Sequence, residues 1–494
     1  MTIDIVSRLI AAETTGPKAA RACHHVQILE RVLILCLLSV IGCVRSVSVP
    51  SPQLSSSATL AFVGVTVVGM TTALDAVPDQ TVVVQAGLIK AVGARGAVVV
   101  PVGALEIAGA GKYLMPGLAD MHVHLEYFED PTILKLFLAN GVTTVRNMDG
   151  RPYILDWRKQ IDLGALLGPA IYTAGPLLDG DPPLRPDNTV VRNGAEGRAA
   201  VVAQKAAGYD FVKVYTNLSA EAWEAILAAA REYDMPVAGH VPRAVSLKKV
   251  LSAGQATIEH LGDYDEAVEA DDSPFLNRYQ WFKRFLGMPM DLTKATLIAE
   301  EQARHGVWTV PTLVQADREV APPDLVRTWL ATPEVSYIQA DGRAFWEGQS
   351  RRTTTRMDDE DWRRVALGRA NRLSLVRALH KAGVQLLVGT DTPNPFVVPG
   401  CAVHEEPKNV VEAGLTPGAA LAASTRDAAR FVGDLEVWGT IEPGKRADLL
   451  LLDANPLEDV TNTRRLFGIV VRGRWFPRDA LTQMLDSLRQ PAAR

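Results

Sequence analysis

The chain has 494 residues, enough for a large domain with a smaller second lobe. Its composition is that of a globular protein, with 48% hydrophobic and 22% charged residues, and the net charge of -5 leaves no basic excess for binding nucleic acid. A disulfide scaffold and a thiolate zinc site are not indicated, because no CxxC pair occurs among Cys23, Cys36, Cys43 and Cys401.

An apolar run near the N-terminus, Val32 to Gly42, predicts export. It is shorter than the roughly 20 residues that span a bilayer, and it is typical of a secretory signal. It ends in a sequence that resembles a bacterial lipobox at Cys43. We expect residues 1–43 to be a lipoprotein-type leader and the Ser-rich residues 44–59 to be a flexible tether. The protein would then be periplasmic or anchored to the outer membrane by lipid on Cys43; the alternative is an uncleaved apolar segment.

Apolar and alternating runs rich in valine follow the tether and return near the C-terminus. Such runs, separated by Gly, Pro and Asp, are typical of short β-strands. They predict that residues 60–113 and 436–480 together form a small β-sandwich domain built from both ends of the chain.

Between these regions a helical run, a glycine and a short apolar strand recur about eight times. This alternation over residues 114–435 predicts a (β/α)8 TIM barrel, with inserts at 261–297 and 314–377 on the face where the active sites of such barrels form. The expected strand regions end at Leu125, Asn147, Pro176, Tyr215, Val241, Leu261, Leu313 and Asp391.

Potential metal ligands occur at the ends of these strands. His122 and His124 are two residues apart on the first strand, so both imidazoles face the same side and can hold one ion. His240 and His260 end the fifth and sixth strands, and Asp391 ends the eighth strand, which closes the barrel beside the first. By contrast, two other histidines precede strands on the opposite face and are expected to cap helices, His305 and His380.

Lys213 lies in an apolar strand, where an unpaired ammonium group is unfavourable. Beside metal ions it would have to lose its proton or change chemically. A carbamate formed with carbon dioxide would supply an anion with two oxygens that can bridge two metals. The alternative is a surface lysine that extends its amine to solvent.

The order HxH, Lys, His, His, Asp resembles the amidohydrolase superfamily, in its binuclear form with a carboxylated lysine. The phrases PGLADMHVHL, GVTTVRN, KVY, AGHV, IEHL, GTDTP and GTIEPGKRADLLLLDANPL strengthen the resemblance, which covers roughly Ala58 to Arg474 and is greatest to imidazolonepropionase-like and Xaa-Pro dipeptidase-like members. Asn147 departs from the pattern, since related sequences often have Asp there. The resemblance implies two divalent ions, expected to be Zn²⁺, with the ligands His122, His124, Lys213, His240, His260 and Asp391.

In that arrangement His122, His124 and Asp391 hold one ion, the other two histidines hold the second, and carboxylated Lys213 bridges them. The resemblance further implies hydrolysis of an amide C–N bond by a metal-bridging hydroxide, with Asp391 as the catalytic proton carrier. The expected substrate is a dipeptide or N-acyl amino acid, as in Xaa-Pro dipeptidases.

Two alternatives stay open: hydrolysis of a cyclic amide such as an imidazolone or a lactam, and a non-catalytic, membrane-tethered binding protein on the same barrel. Deaminases of this superfamily usually lack the lysine, so Lys213 counts against them. A homo-oligomer is compatible with the sequence.

Three further residues are candidates for substrate contact. Tyr215 lies two residues beyond Lys213 on the same side of the strand, and packing is the equal alternative. For His404, in CAVHEEP, a role at a helix entry is favoured over substrate binding. For Arg146, at the end of the second strand, a structural ion pair is favoured.

Overall fold

The structure, a computed structural model, describes residues 58–276, 286–355 and 357–490. The predicted leader, Cys43 and nearly all of the predicted tether lie outside these residues. Within the described ranges, no helix has both the length and the apolar character needed to cross a membrane.

The strands fall into two groups, one in a barrel and one in a small sheet. In chain order they are β1 (Leu60–Val67), β2 (Val77–Gln85), β3 (Leu88–Ala94), β4 (Leu105–Ala108), β5 (Tyr113–Pro116), β6 (Leu118–Val123), β7 (Val142–Asn147), β8 (Ala170–Thr173), β9 (Leu178–Asp179), β10 (Thr189–Val190), β11 (Val212–Val214), β12 (Val237–Gly239), β13 (Thr257–Glu259), β14 (Trp308–Val310), β15 (Leu449–Leu452), β16 (Leu466–Val471) and β17 (Arg474–Pro477).

The helices mostly alternate with the barrel strands. They are α1 (Leu134–Ala139), α2 (Pro152–Asp162), α3 (Gly194–Ala207), α4 (Ala220–Glu232), α5 (Leu247–Ala253), α6 (Asp265–Val268), α7 (Leu292–His305), α8 (Leu313–Glu319), α9 (Pro323–Leu330), α10 (Ala340–Thr354), α11 (Asp359–Ala382), α12 (Glu406–Glu412), α13 (Pro417–Ala423), α14 (Arg426–Phe431) and α15 (Arg478–Leu488).

Local sequence signals set the repeated helix–glycine–strand unit. The α7 helix begins where the Asp291 carboxylate accepts hydrogen bonds from two backbone N–H groups, and it ends at Gly306, whose φ of 66° is left-handed. The α11 helix begins at a capping box between Asp358 and Asp361 and ends at Gly383. His305 and His380 lie in the last turns of these helices, which confirms their predicted positions near helix C-termini.

Eight parallel segments close the predicted barrel, which is confirmed. The strands β6, β7 and β8 pair directly, as do β11 to β14. The eighth segment, residues 385–392, was expected to be a regular strand but makes only isolated parallel bridges to β14 and β6. The three bridges that complete the circle are Ala174–Phe211, Thr309–Leu386 and Val123–Thr392.

The predicted β domain from both chain ends is also confirmed. Its strands run in the order β17-β16-β15-β5-β1-β2-β3, with β4 on β1, so C-terminal strand β15 pairs with N-terminal strand β5. Apolar side chains on one side of this sheet form a separate core that includes Phe62, Val82, Leu451 and Val470. Burial of this apolar surface stabilises the association of the two ends of the chain.

The second insert and the C-terminal residues form part of the cavity at the mouth of the barrel. The predicted second insert, residues 314–377, covers nearly all of α8, the whole of α9 and α10, and most of α11. The α15 helix extends beyond the predicted end of the β domain at residue 480 and contacts α1. The backbone N–H of Gln490, just after this helix, donates to the Ser336 carbonyl at 2.8 Å.

Candidate active site

The first strand of the barrel and its last segment bring three of the predicted ligands together. The Nε2 atoms of His122 and His124 lie 3.4 Å and 3.2 Å from Asp391 Oδ1. The ligand atoms of the three residues all lie within 4.8 Å of one another. Both His122 Nε2 and Asp391 Oδ1 are buried without a hydrogen bond. Such unpaired buried polar atoms are unfavourable, and a cation between them satisfies both.

The other two histidines belong to the same cluster. The ring centroids of His240 and His260 are 5.0 Å apart, and that of His260 is 4.8 Å from His122. His260 Nε2 lies 3.7 Å from the second oxygen of Asp391. The residues from four separate barrel segments therefore converge as the sequence order indicated.

Lys213 lies on β11 with only 1% of its surface exposed, and it lines the same cavity as the histidines. Its charge contributes to lowering the pKa of His122 and of Asp391. The structure therefore places Lys213 inside the cluster rather than at the surface, in a position to contribute to the metal site.

The charges of the site favour a bound cation. Burial raises the pKa of Asp391, but the two nearby histidines outweigh this and keep its pKa below the usual range. Burial lowers the pKa of His122 to about 4, so this imidazole is neutral, the form that ligates metals. Burial also lowers the pKa of His124, but Glu126 and Asp391 outweigh it and raise the pKa to about 10. The negative charges that keep a proton on His124 also favour the binding of a metal ion in place of that proton.

Each histidine of the cluster is oriented through its Nδ1 atom. A ligating imidazole typically hydrogen-bonds through its other nitrogen, which fixes the ring and leaves Nε2 for the metal. Sequence analysis did not identify these partners, although each is close in sequence to a site histidine or follows a barrel strand. The pairs are His122–Glu259 at 2.8 Å, His124–Glu126 at 2.6 Å, His240–Thr216 at 3.1 Å and His260–Thr312 at 2.7 Å.

Arg146 supports this arrangement through its contact with Glu259. Its guanidinium donates to Glu259 Oε1 at 2.6 Å and to the Met121 carbonyl at 2.7 Å. Burial raises the pKa of Glu259, but Arg146 and the His122 hydrogen bond outweigh it and hold the pKa well below the usual range. A chain of buried groups thus runs from Arg146 through the Glu259 carboxylate to the His122 imidazole.

Neighbouring backbone segments lie close together at the ends of the barrel strands. His260 and Asp391 have left-handed φ angles of 66° and 59°. This conformation is unfavourable for residues other than glycine, and it recurs at functional sites. At Gly389 a Cβ would lie 2.8 Å from the Cβ of His122 and 2.6 Å from a methyl group of Val310. Only glycine fits between these two strands without displacing the ligand.

A cavity of about 1160 Å³ opens above the cluster. Tyr215 lines it, with its ring centroid 4.3 Å from that of His240, whereas Arg146 and His404 are not part of the described lining. His404 is buried, its Nδ1 lies 2.9 Å from the Thr463 hydroxyl, and burial lowers its pKa to about 3. Asn147, the departure from the family pattern, accepts a hydrogen bond from the backbone N–H of Leu125 at 2.7 Å and so joins two strand ends.

A closed (β/α)8 barrel with four buried histidines, a buried lysine and an aspartate at one mouth is typical of metal-dependent hydrolases built on this barrel. Residues 113–475 match the model of the amidohydrolase family, and the chain belongs to that family.

Similarity to individual proteins is more distant. The ochratoxinase of Aspergillus niger is 24% identical over 409 residues, which cover 70% of this chain and 71% of that protein. The structure of bottromycin amidohydrolase is 26% identical, with a TM-score of 0.70, over 87% of this chain and 90% of the other. A candidate prolidase from Bifidobacterium longum is also 26% identical, with a TM-score of 0.63, over 87% and 99% of the two chains.

Proposed function

We propose that the protein hydrolyses the amide C–N bond of a dipeptide or N-acyl amino acid, with two divalent metal ions, expected to be Zn²⁺, bridged by carboxylated Lys213. The observation that carries the proposal is the cluster of His122, His124 and Asp391. Two ligand atoms of this cluster, His122 Nε2 and Asp391 Oδ1, are buried without a hydrogen bond. The relatives named ochratoxinase, bottromycin amidohydrolase and prolidase support hydrolysis of an amide bond.

The ligand set divides into two groups in this proposal. His122, His124 and Asp391 would hold one ion, His240 and His260 would hold the other, and carboxylated Lys213 would contribute to both. The chemistry that the ions supply when bound is activation of a water molecule and polarisation of the scissile carbonyl.

The residues of the chain orient the substrate and move the proton. Burial raises the pKa of Asp391, but the nearby His122 and His124 outweigh this and keep the pKa below the usual range, so the carboxylate is ionised. It accepts the proton of the attacking water and delivers it to the leaving nitrogen, which must be protonated to depart as an amine. Tyr215 lines the cavity beside His240, and in this proposal it contacts the substrate carbonyl or carboxylate.

The test combines metal analysis with a substrate screen. The purified wild-type protein should contain about two ions per chain and release an amine from at least one dipeptide or N-acyl amino acid. Lys213→Ala should lose metal and activity, whereas Lys445→Ala, which removes a buried lysine of the β domain, should keep the metal content per folded chain. A Lys213→Ala variant with full metal content and full activity would overturn the assignment of the bridge.

We also propose that the protein is exported and that Cys43 carries a lipid anchor. Support comes from the N-terminal sequence alone, in residues outside those that the structure describes. Expression in a bacterium followed by membrane fractionation tests it: the wild-type chain should be found with membranes, and Cys43→Ser should release it.

A further inference from the structure

A basic side chain at the wall of the cavity has no role in the metal cluster. Arg185 follows β9 and is half-buried. Its guanidinium lies over the ring of Tyr127, 5.2 Å from the centroid, and it makes no ion pair with any carboxylate in the described ranges. Stacking on an aromatic ring orients a guanidinium while leaving its N–H donors available.

Arg185 carries a positive charge in a cavity whose other charged walls, away from the metal cluster, are acidic. Apart from Lys213 and the histidines of the cluster, Arg185 is the only basic residue among the described residues that line the cavity, whereas Glu129, Asp130 and Asp341 supply negative charge. Outside the metal cluster, an anionic group on the substrate would be repelled by these acids and attracted at Arg185. The guanidinium there can bind a carboxylate through two parallel hydrogen bonds.

Three exposed apolar or aromatic side chains line the same cavity as Arg185. Tyr127, Leu184 and Phe345 are 51%, 44% and 57% exposed, and all three line the cavity. Single exposed apolar residues need no explanation, but a group of them at the wall of one concave site is typical of a ligand-binding surface. The volume of about 1160 Å³ leaves room for a side chain larger than a methyl group.

We propose that Arg185 binds the free α-carboxylate of the amino acid in the substrate, and that Tyr127, Leu184 and Phe345 take its apolar side chain. This inference rests on the proposed amide hydrolysis and adds a specificity: the substrate carries a free carboxylate next to an apolar residue. Tyr127 also holds the guanidinium of Arg185 by stacking against it.

The test compares N-acetyl-L-leucine with its C-terminal amide, N-acetyl-L-leucinamide, with release of acetate as the readout. These probes differ in the carboxylate alone. The wild-type protein should prefer the acid in kcat/KM, and Arg185→Gln should reduce that preference by about 10- to 100-fold, mainly through KM, since a hydrogen-bonded charge pair is lost. Arg185→Lys should restore part of it, because the charge is kept and the planar fork is not.

Arg198→Gln is the matched control, because Arg198 is exposed, pairs with Glu232 and lies outside the cavity lining. It should leave the ratio of acid to amide unchanged. An Arg185→Gln enzyme that keeps the wild-type ratio would overturn the proposal even if amide hydrolysis itself is established.

Absence of turnover with either probe would count against the proposed function for these substrates, and calorimetric binding of the same two probes then decides the inference. Tighter binding of the acid that is lost in Arg185→Gln supports it, and equal binding of acid and amide by the wild-type protein refutes it.

Discussion

Replacement of Glu259 by glutamine tests a residue that orients a candidate metal ligand without being a ligand itself. The Glu259 side chain is fully buried and accepts hydrogen bonds from Arg146 and Thr257, and it lies within hydrogen-bond distance of His122 Nδ1. Glutamine has almost the same shape, so Glu259→Gln removes the negative charge without leaving a cavity. The guanidinium of Arg146, which is 1% exposed, then loses its only ionic partner among the described residues.

The expected loss in the free energy of unfolding follows from the burial of the Arg146–Glu259 ion pair. Removing one partner of a buried ion pair costs about 3–5 kcal/mol, because the remaining charge is left uncompensated. With an unfolding entropy of roughly 1 kcal/mol/K for a chain of 494 residues, the melting temperature should fall by about 3–5 °C. The loss of the acceptor for His122 should also weaken metal binding by about 10- to 100-fold.

Calorimetry of the metal-free protein measures the first effect, and metal titration with a competing chelator measures the second. Glu232→Gln, which removes the carboxylate of an exposed pair with Arg198, is the control and should change neither quantity. If Glu259→Gln melts at the wild-type temperature and binds metal with the wild-type affinity, the buried charge chain from Arg146 to His122 does not operate as described.

Two other substitutions test the geometry of the cluster. Thr312→Val removes the oxygen that orients the histidine after β13 and should leave about one ion per chain after dialysis, whereas Thr463→Val, which breaks a similar Thr–His contact away from the cavity, should leave the metal content unchanged. Gly389→Ala places a methyl group against His122 and should cost about 1–3 kcal/mol in the free energy of unfolding and lower the metal content. Equal metal content in Thr312→Val and wild type, or unchanged melting and metal content in Gly389→Ala, would contradict these contacts.

Much of the barrel could be predicted because its signals are local. The helix–glycine–strand unit needs only a cap, an apolar strand and a left-handed glycine, and seven of the eight expected strand regions contain a regular strand. The eighth differs for a tertiary reason. Residues 385–392 run between β14 and β6, but close approach of Gly389 to its neighbours and the left-handed Asp391 interrupt regular pairing. Backbone geometry of this kind depends on the neighbouring strand, which the local sequence does not specify.

The ligands could be predicted and their supports could not, for a reason that β13 illustrates. Alternation along a strand places Glu259 and His260 on opposite faces. The left-handed backbone at His260 breaks this alternation, so the carboxylate reaches His122 while His260 turns toward His240 and Asp391. Only the folded chain reveals that two consecutive side chains serve the same site.

The positions of these residues in the chain separate the chemistry from the choice of substrate. The candidate ligands and the partners that orient them lie on or directly after the barrel strands, within the matched residues 113–475. The walls of the cavity are built differently: Phe345 lies on α10 in the second insert, and Leu488 and Gln490 lie beyond the end of the family match. The reaction class can therefore be inferred from relatives that are 24–26% identical, whereas the substrate cannot. Because Arg185 lines the cavity and is not a candidate metal ligand, the acid and amide probes examine the choice of substrate separately from the reaction class.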